Sequence, residues 1–411
     1  MSTTYKTKSG DTYESIARKK YGNENEAYRI QSANPGYLTE PFISGLDIIV
    51  PDIQDAPTNK QKTVPSTDTD DLSVIIENER FAYWTDFKIT KSIDSLSTVE
   101  FSAPFEVERE FLKNIFKPFS FKKTICTING DPIFNGVLVN SIPDINENQK
   151  TINATCYSKP GVLNDCTAPA SLFPLEFDNQ GLKEISEKFC MPFGISVDFQ
   201  ANQGAIFDRV SCNPGRKIFG FLSELAKQRS VVISDTNDGK LLFWQSLETG
   251  TPIAKLTQGE SPLISVTPNF NPQNYYSDIT GLEPITTGFD GSQYTVKNSR
   301  LKNTIRPYVY KVNDTLNADV KTAVEAKAGR MFADLASYDI QVSTWRTPSG
   351  ELWDRNKIIT LNAPDAMVYN DYKFLIRKVI FEKNGNKKTA RLNLILPGTY
   401  SGKLPESLPW D

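Results

Sequence analysis

Histidine is absent from all 411 residues, and that absence narrows the chemistry open to this chain more than any residue present. Imidazole is the commonest acid–base group near neutral pH and the commonest protein metal ligand. Its lack removes Ser-His-Asp and Cys-His triads, zinc amidases and HExxH sites together. The five cysteines (Cys126, Cys156, Cys166, Cys190, Cys212) show no CxxC or other short metal-ligand spacing. An odd, dispersed set of this kind reads as reduced, mostly buried thiols. What survives is carboxylate chemistry of the glycosidase kind, which needs two carboxyl groups at a set separation across a cleft. Asp144, Asp165, Glu176 and Asp178 could be mistaken for such a set, but they fall in expected turns and strand ends, where carboxylates hydrogen-bond the local backbone. No catalytic, cofactor-binding or metal-binding residue is assigned, no cofactor is expected, and the chain reads as a non-enzyme. Tyr5, Tyr13, Tyr21, Tyr28 and Tyr37 could stack on sugar rings, or could fill a small core and decorate a protein interface.

With 46 basic and 49 acidic residues the net charge is −3 and the pI about 5.5, so nothing favours nucleic acid or an anionic membrane as the main partner. No apolar run approaches the roughly 20 residues of a membrane-spanning helix. The opening Met-Ser-Thr-Thr-Tyr has no apolar signal core, which predicts a chain made and kept in the cytoplasm until assembly. The length predicts about two to four domains.

The elements that must position these residues begin with a short, self-contained pattern. Ser9-Gly10-Asp11 turns a short strand into a helix, with Asp11 expected to cap its first turn. Tyr13, Ile16 and Ala17 follow at helical spacing. Asn34-Pro35-Gly36 stops a second helix, and Leu46 to Val50 is an apolar strand closed by Pro51. Together with Tyr28 to Pro35 and Ile43 to Pro51, this stretch resembles a LysM module, a βααβ unit. The resemblance implies glycan binding or protein fastening through Gly10, Asp11, Thr12, Tyr13, Asn34 and Pro35. Residues 1–55 are assigned to this module. Residues 56–71 read as a linker, being polar, proline-containing and without hydrophobic period.

From Leu72 the texture is β-rich. Val74 to Ile76, Phe87 to Thr90, Ser97 to Ala103, Thr124 to Ile128, Ile133 to Asn140 and Thr151 to Tyr157 read as strands, with Asn129-Gly130-Asp131 as a hairpin turn. This defines a first β block, 72–170. Phe111, Ile115, Phe116, Phe119 and Phe121 gather around Pro118 as core or as a subunit contact. Residues 171–255 form an α+β insert, with helices expected over Gly181 to Phe189 and Lys217 to Gln228. A second β block, 256–411, holds one helix, Asn317 to Leu335, and ends in long strands: Asp339 to Trp345, Lys357 to Leu361, Tyr372 to Glu382 and Thr389 to Leu396. The last two are joined at Asn384-Gly385.

Phe87 to Phe101, Gly136 to Asn140, and Thr151 to Cys166 resemble the hub proteins of Mu-like contractile phage baseplates, the family that includes late control protein D. Leu163, Asp165 and Cys166 fit that family's strand ending, whereas Asn164 departs from it. The resemblance covers about 72–400. It implies a mainly β fold with an α+β insert and two tail-tube-like β-barrels, beside the N-terminal module. It also implies a structural homotrimer adapting the six-fold tail tube to the three-fold central spike. Expected partners are the spike, tail tube and baseplate wedge proteins and, less directly, the tape measure protein. No membrane partner is expected, and the place is a virion tail baseplate assembled in the host cytoplasm. The alternative is a LysM-guided peptidoglycan-binding or wall-degrading tail protein. The basic run Lys383 to Lys388 reads as a charged hairpin tip, or as a strip attracting DNA passing through a tube.

Overall fold

In the computed structural model, which describes residues 3–22, 24, 27–34, 41–51, 70–147, 150–283, 292–301, 303–312, 320–385 and 387–411, the chain divides into two units, Met1–Lys62 and Thr63–Asp411. In the first, β1 (Thr3–Lys6) is followed by α1 (Tyr13–Tyr21), α2 (Ala27–Ala33) and β2 (Asp47–Val50). The two strands pair antiparallel from Thr3↔Val50 to Lys6↔Asp47. Tyr13, Ile16, Ala17, Ile30, Phe42, Ile48 and Val50 form its core. The cap of α1 differs from expectation. Thr12, not Asp11, is the N-cap, and its side chain exchanges hydrogen bonds with Ser15 in a capping box. Asp11 stands one residue too early to reach the first-turn N–H groups. Pro35, Gly36, Tyr37 and 52–69, most of the expected linker, lie outside the described residues, as does the side chain of Tyr28.

The second unit opens with β3 (Leu72–Ile76), β4 (Glu79–Phe81), β5 (Asp86–Ser92), β6 (Thr98–Pro104), the short helix α3 (Glu110–Ile115), β7 (Lys123–Ile128), β8 (Asp131–Ile145) and β9 (Lys150–Ser158). Strict alternation, as in Phe87, Ile89 and Lys91 or Val99, Phe101 and Ala103, turns one face of each strand inward. The β7–β8 turn uses Asn129 and Gly130, both at positive φ (53° and 88°), the geometry a two-residue hairpin requires.

The insert follows as α4 (Val162–Asp165), β10 (Glu176–Gln180), α5 (Leu182–Cys190), β11 (Val197–Phe199), β12 (Phe207–Ser211), α6 (Ile218–Lys227), β13 (Val232–Asp235) and β14 (Leu241–Trp244). Leu182, Ile185 and Phe189 of α5 and Ile218, Phe221, Leu222 and Leu225 of α6 recur at three and four residues, so each helix buries one stripe in a separate core.

The last block comprises β15 (Lys255–Thr257), β16 (Leu263–Phe270), β17 (Asp278–Leu282), β18 (Gln293–Lys297), β19 (Pro307–Lys311), α7 (Val320–Leu335), β20 (Ala336–Val342), β21 (Ile358–Ala363), β22 (Val368–Asn384) and β23 (Lys387–Ile395). Helix α7 packs on the small sheet β18-β17-β19, a feature the sequence reading lacked. Residues 317–319 of the expected helix lie outside the described residues.

The two β blocks are one sheet. Of its thirteen strands, eleven run in the order β16-β20-β23-β22-β5-β6-β9-β8-β7-β3-β4, while β21 pairs with β22 and β15 with β21. Among the described residues no pairing closes either block, so the expected pair of closed barrels is replaced by a continuous open sheet. The reason lies in β22. Its first half pairs with β21, Ile358↔Leu375 to Ala363↔Val368. Its second half pairs with β5, Lys378↔Ser92 to Asn384↔Asp86. A register irregularity at Ile376/Lys378 lies between the two halves, where a bulge re-aims a strand. Buried residues of both blocks accordingly form one core, from Ile89 and Val99 to Val379 and Phe381.

Helix α7 also carries a glycine whose role is contact rather than flexibility. A Cβ at Gly329 would lie 2.0 Å from the Thr399 carbonyl oxygen and 2.9 Å from Gly402 Cα. Gly→Ala in an open helix interior gains about 1 kcal/mol. Here Gly329→Ala should instead destabilise by about 1–3 kcal/mol through overpacking, read as a lowered urea midpoint. An unchanged or raised midpoint would contradict this packing.

Candidate assembly site

The candidate contact residues of the first unit are largely committed to its interior. Asp11 is 5% exposed. Its carboxylate accepts from Tyr5 Oη at 2.9 Å, the Lys8 N–H at 2.8 Å and Lys19 Nζ at 2.6 Å. Burial pushes the Asp11 carboxyl up, but these three donors prevail and hold it down at about 2. Tyr13 is buried and donates to the Asn34 carbonyl at 3.3 Å. Asn34 staples the unit: its amide donates to the carbonyls of Ile30 and Ile49 at 2.6 and 2.7 Å and accepts from the Ile49 N–H at 2.8 Å. Gly10 makes a turn at φ 90°, and Thr12 is the cap described above. The structure thus joins Tyr13 to Asn34, while Asp11 is held by Tyr5, Lys8 and Lys19; Pro35 lies outside the described residues.

A buried polar constellation lies elsewhere, where the insert meets both β blocks. Asp235 at the end of β13 is paired with Arg355, 3.4 Å away, with side chains 3% and 4% exposed. Ser97, just before β6, donates to Asp235 Oδ1 through its N–H at 3.2 Å and its hydroxyl at 2.8 Å. Arg355 donates to Ser97 Oγ at 3.1 Å and also to the Asp235 carbonyl. Ser234 Oγ lies 2.7 and 2.8 Å from the carbonyls of Ser92 and Ser95. Trp244 Nε1 donates to the Ile93 carbonyl at 3.0 Å. Lys91, the inward residue after Phe87 and Ile89, donates to Asn237 at 2.6 Å. Burial pushes this ammonium down, and Arg355 adds to that while Asp354 opposes it.

A second knot adjoins the first. Asp94 accepts from Tyr400 Oη at 2.6 Å, Ser92 Oγ at 2.7 Å and Arg377 at 3.1 Å, and Arg377 also donates to Asp334 of α7 at 3.0 Å. Burial pushes the Asp94 carboxyl up, but the Arg377 charge and the hydroxyl donors bring it below the usual range. Burial and the neighbouring Asp94 raise the Tyr400 phenol. Ile93, Val232, Ile358, Leu375 and Ile395 fill the space between. Sequence reasoning missed this junction because its members come from three stretches of chain, 91–97, 234–244 and 334–400, that are far apart in sequence. Its one local signal is Lys91, a charge at an inward position of an alternating strand.

The remaining candidates separate. Glu176 and Asp178 lie beside Arg209, at 2.9 and 3.8 Å, on the exposed pair β10–β12. Asp165 ends α4, and Asp144 is exposed near the tip of the β8–β9 arm. No three Cys, Asp or Glu side chains converge as a metal site among the described residues. All five cysteines are free thiols, four buried and Cys166 half-buried. In the basic tip, Lys383 Nζ stands 4.9 Å over Trp84 and Lys388 donates to the Asp70 carbonyl at 2.7 Å. Of the aromatic group, Ile115 and Phe116 are core, whereas Phe119 and Phe121 are exposed. Over the β5–β22 seam lies a trough of about 840 Å3 lined mostly by polar residues, with cross-strand pairs Lys88–Glu100 and Arg391–Glu382, each 3.0 Å.

This sheet, with an insert clamped over its central seam, is the fold of phage tail proteins. The 43 kDa tail protein of prophage MuSo2 from Shewanella oneidensis superposes with a TM-score of 0.69 at 20% identity, over 80% of this chain and 99% of that one. The tail protein of Neisseria meningitidis MC58 does so with 0.67 at 15%, over 80% and 97%. Residues 160–245 match the family described as baseplate hub protein gp44-like, second domain. Baseplate hub protein gp44 of Escherichia phage Mu is 22% identical over 298 residues, 69% of this chain and 76% of that protein. The chain is thus similar in sequence and fold to phage baseplate hub and tail proteins.

If the insert is clamped by the buried pair, removing one partner should be costly. Arg355→Met leaves Asp235 buried without its counter-ion, and is expected to cost about 3–5 kcal/mol in urea unfolding of the full chain. Adding Asp235→Leu should recover part of that loss. A single substitution costing under about 1 kcal/mol, the worth of an exposed pair, would show that the junction is not stabilised this way.

Proposed function

We propose that this chain is the structural hub of a contractile phage or phage-like tail baseplate, a trimeric adaptor between the six-fold tail tube and the three-fold central spike. The observation that carries this reading is the single thirteen-strand sheet, in which two β blocks are fused through β5 and β22. Such a chain offers two tube-like segments at a fixed angle, so three copies would present six. The similarity to gp44 supports the same reading. Its domain division is an N-terminal module over 1–55, a linker over 56–71, tube-like blocks over 72–170 and 256–411, and the insert over 171–255. Its place is the virion tail, with the spike, tube and wedge proteins as neighbours.

Within this proposal the N-terminal unit is a LysM-like fastener for neighbouring baseplate proteins, and the chain has no catalytic role. The interior commitments of Asp11, Tyr13 and Asn34 favour fastening over sugar recognition at those residues.

Light scattering on the purified chain with its spike protein should give the mass of three hub chains; a hub that stays monomeric there would overturn the adaptor reading. Deleting residues 1–56 should leave that trimer intact and weaken attachment to peripheral baseplate proteins, measured by co-sedimentation. Purified cell walls incubated with the chain should keep their turbidity. Lysis lost on substitution of one Asp or Glu would restore the wall-degrading alternative.

A further inference from the structure

The loop between α3 and β7 exposes two aromatic rings in a conformation that works against them. Phe119 is 88% and Phe121 54% exposed, and both hold positive φ, 58° and 48°. Bulky side chains rarely adopt this region, and strain retained at an exposed site points to use rather than to packing. The loop is held firmly. Ser120 Oγ donates to the Lys117 carbonyl at 2.7 Å, and the Lys122 carbonyl accepts from the Leu138 N–H at 2.8 Å. The adjoining Phe116 is buried edge-on against Phe81 of β4, with ring centroids 5.5 Å apart. Lys117, Lys122 and Lys123 flank the two rings. The result is an aromatic knob with a basic collar, anchored to the β4 end of the sheet.

The other end of the sheet carries an apolar groove. Beside β16 runs a groove of about 350 Å3, walled by Leu263, Ile264, Val266, Pro268 and Ala366, with Asp365 at its rim. Ile264 is 51% exposed and the neighbouring Met367 48%. Glu260 in the preceding turn adds a second exposed carboxylate. Strand β16 is also the long edge of the sheet: among the described residues it pairs only with β20, whereas β4 at the opposite end has three residues. Long edges with apolar side chains are liabilities that proteins cover.

We propose that the Phe119–Phe121 knob of one copy docks in the β16 groove of the next, with the lysine collar facing Asp365 and Glu260. This rests on the trimeric reading above and names its contact. Knob and groove are different surfaces at opposite ends of one sheet, so the contact is head-to-tail, and such contacts close into a ring when the rotation permits. It would cover the exposed rings and the open edge together.

The test uses full-length chains with the spike protein. Phe119→Asp and Ile264→Asp should each weaken self-association at least tenfold, read by light scattering across a concentration series. An equimolar mixture of the two variants should regain a two-copy species, because each retains the surface the other lacks. Phe119→Gly suits the positive φ, so its thermal midpoint should hold or rise while assembly is lost, separating contact from folding. If the wild type forms the trimer and both Asp variants do so equally well, this contact is wrong and the hub reading stands. If the single variants fail and their mixture fails too, the two surfaces do not meet each other. A wild type that never assembles overturns both.

Discussion

Everything in the larger unit hangs on the antiparallel ladder between β5 and β22. It joins strands nearly three hundred residues apart, from Lys378↔Ser92 to Asn384↔Asp86, and makes one core out of two β blocks. Bringing together such distant segments carries a large chain-entropy cost. That cost is offset because inward residues on both strands, Ile89 opposite Phe381 with Phe87 and Val379 on either side, are buried in the same act. Without the ladder, the two blocks would be separate sheets with two further open edges.

The ladder also fixes where the insert sits. Residues Ser92 to Ser97 leave the end of β5 directly at the seam, and their backbone and side chains supply Ser234, Asp235 and Trp244 with partners. The second β block closes the same site with Arg355, Arg377 and Tyr400. Charges this deep are expensive unless paired and fully hydrogen-bonded, and Asp235 and Arg355 meet that condition only while all three segments are in place. The junction therefore acts as a geometric lock: it stabilises one arrangement of insert and sheet and penalises others. The proposed adaptor role, with two tube-like segments at a fixed angle, would have a physical use for such a lock.

The smaller unit is built on a similar economy at smaller scale. Asp11 and Asn34 each satisfy several backbone or side-chain groups that a core of so few apolar residues cannot shield. Polar residues that look available for ligands in a sequence are consumed here in holding β1, β2 and the helices together. Exposed groups such as Ile43 and Ile49 are left as the surface on which a partner could act.

Local physics was legible in the sequence. Period-two alternation marked β5, β6, β7 and β9, three-and-four spacing marked α5 and α6, and Asn129-Gly130 and Asn384-Gly385 marked their hairpins, because each signal is carried by neighbours along the chain. The absence of histidine was equally plain. Short or irregular elements were not: α3 is six residues and the sheet β18-β17-β19 has connections too long to announce pairing. The cap of α1 turned on a one-residue offset between Asp11 and Thr12 that composition does not resolve. What only the tertiary structure decided was long-range. Whether two β blocks close separately or fuse depends on which edges pair, and strand edges present the same N–H and C=O groups whatever their sequence. The meeting of Asp235 with Arg355 and Ser97, and the separation of the Phe119 knob from the β16 groove to opposite ends of one sheet, follow from that pairing and from nothing nearer in the chain.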